Sequence, residues 1–206
     1  MNLRPADVPP PIPILLLAAG GSTRLGHPKQ LVPYRGSTLL RHAAETALAA
    51  GIGPVLVVLG AEAERCAVAI EGLPLGIVTH ARWDAGLGTS IAAGVRACHE
   101  RHPDLAGVLL MSCDQPLVDA AALRALAAAF RASGAPAVAA AYKGTVGIPA
   151  IFARSELTAL ESLAADHGAK GRLLALGLRL VRVACPAAAL DVDTAADLGA
   201  IRSGPN

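Results

Sequence analysis

Ile12-Pro13-Ile14-Leu15-Leu16-Leu17-Ala18-Ala19-Gly20-Gly21-Ser22-Thr23-Arg24-Leu25-Gly26-His27-Pro28-Lys29 is the stretch from which the rest of the chain is read. Its first part, Ile12 to Ala18, is almost continuously apolar, with Pro9, Pro10 and Pro11 before it and Gly20 and Gly21 after it. An apolar run of that length between proline and glycine has the form of a parallel strand buried on both faces, leading into a glycine loop. Glycines in such a loop let the backbone come close to a ligand, and successive N–H groups can cradle phosphate oxygens. Arg24 offers a fork of donors and Lys29 a compact positive charge, so two cations bracket a phosphate-sized target. An ordinary tight turn with surface cations would use the same residue types. A P-loop is excluded, because Gln30 rather than Ser or Thr follows Lys29. The G-x-G-x-x-G dinucleotide spacing does not start at Gly20 or Gly21.

Outward from this loop, further apolar runs of strand length lie at Pro54–Leu59, Leu75–Thr79, Ala106–Met111, Ala135–Ala141 and Leu180–Ala184. Helical patterns lie at Leu39–Ala50, Glu62–Ile70, Thr89–Glu100, Ala120–Ala132, Arg154–Ala164 and Gly171–Leu176, with a last helix over Ala195–Arg202 behind Thr194 as its N-cap. Strand and helix alternate, which predicts an α/β fold: a mostly parallel sheet with helices on both faces, three layers in all. Ligands of such sheets bind beyond the carboxyl ends of the strands, so the loops after Ala18, Thr79 and Met111 are where chemistry is expected. The stretch Ala141–Pro149 reads as a less regular insert on the acceptor side.

The 206 residues suit one domain, expected over residues 12–202, with a disordered lead over 1–11 and a tail over 203–206. Apolar residues make up 53% of the chain but aromatic ones only 2%, so the core is built from Leu, Val, Ile and Ala. The net charge is +2, the lysines are Lys29, Lys143 and Lys170, and no basic face of the kind nucleic-acid binders carry is visible. Cys66, Cys98, Cys113 and Cys185 form no C-x-x-C pair and read as buried free thiols. No apolar run reaches the roughly 20 residues of a membrane span, and the polar, proline-rich start has no signal-peptide pattern, so the expected location is the cytoplasm. The histidines show no metal spacing, and there is no G-x-S-x-G elbow.

Two carboxylate regions complete the candidate site. Asp114, in Ser112-Cys113-Asp114-Gln115-Pro116, ends an apolar strand where a cleft residue belongs. Phosphates and a carboxylate share a site only with a cation between them, usually Mg²⁺. The competing role for Asp114 is to cap the helix that starts near Asp119. In Leu190-Asp191-Val192-Asp193-Thr194, the two aspartates lie on one side of an extended segment; they serve either as ligands or as caps of the following helix. Trp83-Asp84-Ala85-Gly86-Leu87-Gly88-Thr89-Ser90 precedes a helix. Gly86 and Gly88 permit backbone approach to a flat base and Ser90 can hydrogen-bond it, unless the stretch is simply an N-terminal cap. Trp83 either packs or shields the pocket.

The loop as a whole resembles the L-A-A/G-G-x-x-x-R-x-G-x-x-K signature of MobA/MocA-like nucleotidyltransferases, which have the nucleotide-diphospho-sugar transferase (glycosyltransferase-A-like) fold. The likeness lies in Leu17, Ala18, Ala19, Gly20, Arg24, Gly26 and Lys29. The string Cys113-Asp114-Gln115-Pro116-Leu117 resembles the subgroup of molybdenum cofactor cytidylyltransferases, and Asp191-x-Asp193-Thr194-x-x-Asp197-Leu198 resembles their D-x-D-T-x-x-D-L string. The resemblance implies a triphosphate held by the loop Leu17–Gly21, Arg24 and Lys29, and a base met by Gly86 and Ser90. It implies one Mg²⁺ held by Asp114 and Asp193, with Arg24, Lys29 and Asp114 as the catalytic group. Gly147-Ile148-Pro149 stands where relatives often show G-H-P, and Lys170 stands for an Arg; these mark Gly147, Pro149 and Lys170 as acceptor residues. Ala19 resembles the cytidylyl-transferring members. The implied reaction is transfer of CMP from CTP to molybdopterin, with a molybdoenzyme or its chaperone as a further partner. The alternatives are a sugar phosphate or other small phosphate acceptor, or a non-catalytic molybdenum cofactor carrier.

Overall fold

A computed structural model describes residues 9–21, 26–194, 197 and 199. Arg24, residues 1–8 of the expected lead, the tail and most of the expected helix Ala195–Arg202 lie outside them.

The strands are β1 (Ile14–Ala18), β2 (Pro33–Tyr34), β3 (Ser37–Thr38), β4 (Val55–Leu59), β5 (Gly76–Thr79), β6 (Gly107–Ser112), β7 (Ala137–Tyr142), β8 (Thr145–Ala153) and β9 (Leu180–Ala184). The helices are α1 (Leu39–Ala50), α2 (Ala63–Ala69), α3 (Leu87–Arg101), α4 (Ala120–Ser133), α5 (Leu157–Glu161) and α6 (Ala169–Ala175). Where helices begin and stop follows from local chemistry. Thr38 accepts the N–H of Arg41 at 3.1 Å to start α1, and Asp119 accepts that of Ala122 at 2.8 Å to start α4. Gly51 and Gly134, both left-handed, end the same two helices.

The main sheet has seven strands in the order β5-β4-β1-β6-β8-β7-β9. Pairs β1–β4, β1–β6, β4–β5 and β7–β9 are parallel. Residues alternate along β1: Ile14, Leu16 and Ala18 join one core with α1, α2 and α4, while Leu15 and Leu17 join the other with α3, α5 and α6. The three-layer α/β/α arrangement expected from strand-helix alternation is therefore present, with a hydrophobic core on each side of the sheet.

Two expectations are corrected. The segment assigned as an irregular insert, Ala141–Pro149, is instead the end of β7 and most of β8, a strand that runs antiparallel to both its neighbours, β6 and β7. Pro149 conceals the strand in the sequence, since proline cannot donate to a ladder. The structure accommodates it at a register shift: the pairs on either side are Ala139↔Ala150 and Ala140↔Gly147, so Ile148 and Pro149 bulge between them. Arg154–Ala164, read as one helix, is a 3₁₀ turn over Arg154–Glu156 followed by the short α5. The β2–β3 ribbon was not foreseen.

The strand order fixes the location of a cleft. From β1 the chain adds β4 and then β5 on one side, then crosses to place β6 on the other. The two adjacent loops that leave β1 and β6 consequently part in opposite directions, and such a switch point opens a crevice at the carboxyl ends.

Candidate active site

A cavity of about 400 Å³ lies in that crevice, and its lining draws on every segment that the sequence singled out. From the end of β1 and the loop after it come Leu17, Ala18, Ala19 and Gly20; from the turn that follows, Lys29 and Gln30; from the β6 loop, Asp114 and Gln115. Ser90 enters from α3, Gly147 and Ile148 from β8, Lys170 from α6 and Asp191 from the C-terminal segment. Gly21, Gly86, Pro149 and Asp193 are not part of this lining. Gly21 lies against the Trp83 ring, and Trp83 both packs there and faces the cavity, so its two readings are both realised.

Asp114 and Asp193 meet, although 79 positions separate them in the sequence numbering (193 − 114). The Lys29 ammonium bonds Asp114 and lies 3.1 Å from Oδ1 of Asp193. The contact is enforced by the backbone: the N–H of Val192 donates to the carbonyl of Asp114 at 2.8 Å. Val192 is fully buried in a small cluster with Val32, Tyr34 and Leu39. With Val192 turned into the core, its neighbours Asp191 and Asp193 are turned to the other side of the extended segment, as the alternation of strand side chains requires.

The capping roles considered for these aspartates are filled by other residues. Asp119 caps α4. After Asp193, the Asp197 carboxylate accepts the N–H of Thr194 at 2.7 Å and its hydroxyl at 2.8 Å, while the Thr194 hydroxyl accepts the N–H of Asp197 at 3.3 Å. This is a reciprocal capping box, and it leaves Asp191 to the cavity and Asp193 to Lys29.

Burial pulls the pKa of Lys29 down, but the Asp114 charge and the hydrogen bonds to both carboxylates outweigh it, and the net shift is upward. Lys29 is thus a permanent cation near neutral pH. Asp191 is held above the usual carboxylate range by burial first and by the Asp114 charge second, against a hydrogen bond from Gln115. Gln115 is itself buried. Its amide nitrogen lies 3.2 Å from the carbonyls of Ile148 and Ala188 and 3.0 Å from Oδ1 of Asp191, and its Oε1 has no partner among the described residues. The two carbonyls only accept, so they dictate which way the amide faces, and the amide ties β8 and the C-terminal segment to the β6 loop.

Oxygen donors that converge on one bound cation suit a hard divalent ion. Mg²⁺ takes one or two carboxylates and completes its shell with phosphate oxygens and water, and Asp114 and Asp193 are the carboxylates here that could serve as such a pair. Among the described residues no group of three or more His, Cys, Asp or Glu is arranged to hold a metal ion.

Three residues of the expected set have positions that change their reading. Gly86 and Gly88 are glycines because of another chain segment: a Cβ at Gly86 would stand 2.1 Å from the carbonyl oxygen of Ala165, and one at Gly88 2.0 Å from that of Ala164. Their backbone approach is to the loop before α6. Lys170, read as a residue at a helix end, is in the first turn of α6. A cation there opposes the helix dipole, so the helix-end role does not hold, and Lys170 lines the cavity. The sequence reading missed Gln30 and Gln115 as parts of the cavity, and it named Asp191 without assigning it there. Asp191 had the spacing that could have revealed it. The two glutamines had only their position beside Lys29 and Asp114. All four cysteines are buried free thiols, as expected. No helix among the described residues is long and apolar enough to cross a membrane.

Nicotine blue oxidoreductase of Paenarthrobacter nicotinovorans is 43% identical over 103 residues, half of this chain and 48% of that protein, so the match spans about half of that relative's length. A probable molybdenum cofactor guanylyltransferase of Rhodopirellula baltica is 29% identical over 204 residues, 97% of this chain and 95% of that one. The crystal structure of Rv0371c from Mycobacterium tuberculosis superimposes with a TM-score of 0.80 at 30% identity over 96% of this chain and 100% of the other, and that protein has also been solved in complex with manganese. Residues 14–183, which carry the glycine loop, Lys29 and Asp114, match the MobA-like NTP transferase domain, and the chain belongs to that family of nucleotidyltransferases.

Proposed function

We propose that this protein is a Mg²⁺-dependent nucleotidyltransferase that moves CMP from CTP to molybdopterin, the organic part of the molybdenum cofactor, and releases pyrophosphate. The observation that carries the reading is the meeting of Asp114, Asp193 and Lys29 beside the glycine loop, at the switch point of the sheet. In this reading Arg24, Lys29 and the loop Leu17–Gly21 bind the triphosphate. A Mg²⁺ held by Asp114 and Asp193 supplies neutralising charge to the phosphates when bound. The acceptor's phosphate oxygen forms a bond to the α-phosphorus, the bond from that phosphorus to the bridging oxygen breaks, and the electron pair leaves with pyrophosphate. The acceptor phosphate is already an anion, so no general base is required. Arg24 and Lys29 stabilise the charge that gathers on the transferring and leaving groups.

CTP is favoured as donor by Ala19, a lining residue that carries a methyl group where the guanylyl-transferring relatives carry a glycine. Ser90 faces the same cavity from α3 as a candidate contact to the base. Gly147 and Lys170, with Ile148, also line the cavity and are assigned to the acceptor, Lys170 supplying positive charge for its phosphate. Pyrophosphate release is to be measured with CTP, GTP, ATP and UTP against molybdopterin and against simple sugar phosphates. Release with CTP and molybdopterin is the expected result. Release only with a sugar phosphate replaces the acceptor, and binding of the pterin without any nucleotide replaces the enzyme by a carrier.

A further inference from the structure

Gln30 is 1% exposed, and its side chain reaches back over ten residues to the glycine loop. Its amide nitrogen donates to the carbonyl of Ala18 at 2.9 Å and to that of Gly20 at 2.7 Å. Both acceptors are backbone oxygens, so the amide has to present its NH₂ to them. The neighbouring carbonyls are engaged as well: that of Leu17 accepts the N–H of Cys113 at 3.4 Å, and that of Ala19 accepts the N–H of Ala61 at 3.0 Å. Every carbonyl from Leu17 to Gly20 is therefore occupied by a donor from the protein. Among the described residues, no acceptor pairs with the N–H of Gly20 or Gly21.

We propose that Gln30 is a positioning residue that makes this loop selective for polyphosphate. A loop with exposed glycines is free to turn either its carbonyls or its N–H groups toward a ligand. Carbonyl oxygens repel phosphate, and N–H groups bind it. By binding two carbonyls of the loop at once, Gln30 removes the repulsive arrangement before any ligand arrives. It directly follows Lys29, so one short 3₁₀ turn, Lys29–Leu31, both clasps the loop and delivers an ammonium to the carboxylates. A residue of other chemistry at this position, such as the Ser or Thr of a P-loop, would be too short to reach both carbonyls. The ligand class is a di- or triphosphate chain. The inference rests on the nucleotidyltransferase reading, since that reading supplies the polyphosphate.

The test is Gln30→Met, which fills the same space without a donor. Binding of CMP, CTP and inorganic pyrophosphate, each with Mg²⁺, is measured by calorimetry for wild type and variant. The expected result is a loss of about tenfold or more for CTP and pyrophosphate and less than about twofold for CMP, since charge-assisted contacts to the outer phosphates are what the loop loses. If Gln30→Met does not fold, Gln30→Asn keeps the amide but draws it back by one methylene, and the same three ligands are compared. Equal losses for all three ligands, or no loss, would overturn the inference and leave Gln30 as a structural residue, while the nucleotidyltransferase reading stands. A wild type that binds neither CTP nor pyrophosphate would fail at the earlier step and remove both.

Discussion

At the scale of single residues, the site is decided by where charge is held. Lys29 stands between Asp114 and Asp193, and both carboxylates keep it protonated. Lys29→Ala leaves those carboxylates facing each other without the ammonium and removes a contact to the triphosphate. Arg24, outside the described residues, belongs to the same spacing. Each variant is expected to lose about 10²–10³ in turnover, the usual cost of one transition-state contact, with an unchanged circular dichroism spectrum. Steady-state rates equal to wild type would take that residue out of the site. Ala19→Gly tests donor choice: steric differences of this size in a pocket are worth about 1–3 kcal/mol, so the ratio of kcat/KM for CTP over GTP should fall. A wild type that already prefers GTP would overturn the choice of donor. Lys29 and Asp114 were legible because cation and carboxylate sat at telling distances from glycines and a strand end. Gln30 and Gln115 were not, because an amide beside a charged motif residue carries no spacing of its own, and only contacts distinguish a buried glutamine from a surface one. Asp191 was seen, but its direction depended on Val192 entering the core and on Asp197 taking over the cap.

Elements position these residues through close approaches that the sequence shows only as glycines. The start of α3, which carries Ser90, is pressed against the loop Ala164–His167, and Gly88 makes that possible. Gly88→Ala would put a methyl group on the Ala164 carbonyl oxygen, and backbone cannot swing away as a side chain can. The expected cost is about 1–3 kcal/mol of stability, typical of overpacking, seen as a lower urea midpoint with an unchanged slope. The displaced α3 terminus should also weaken nucleotide binding. A midpoint equal to wild type would mean that the loop yields freely. The alternation of strands and helices was readable because apolar runs of five to six residues, such as β1, β4 and β6, contrast with the amphipathic α1 and α4. β8 was not, since its proline and its two-residue bulge break the strand pattern at the point where it reaches the cavity.

For the whole molecule, the same burial that holds the sheet between two cores sets its response to alkaline pH. Burial pushes the Cys66 thiol up to about 11 and the Cys98 thiol up to about 12, and raises Cys113 and Cys185 too. In the unfolded chain these thiols titrate near the ordinary value of about 8.5. Between that value and about 11 for Cys66, or about 12 for Cys98, the native protein keeps protons that the unfolded chain has released. Stability falls wherever the native state binds more protons, so it should be flat from neutral pH to about 8 and decline above. Lys29 acts in the same direction at higher pH: its raised pKa contributes stability below the unfolded value of about 10.4, and this is lost as pH rises further. Guanidinium unfolding at pH 7 and pH 10 measures the decline. Cys98→Ala separates the thiols from other titrating groups, because the variant loses stability at pH 7 through its cavity yet should lose less than wild type between pH 7 and pH 10. A variant whose decline matches wild type would place the Cys98 thiol outside the linkage, and a wild type equally stable at both pH values would exclude the buried thiols.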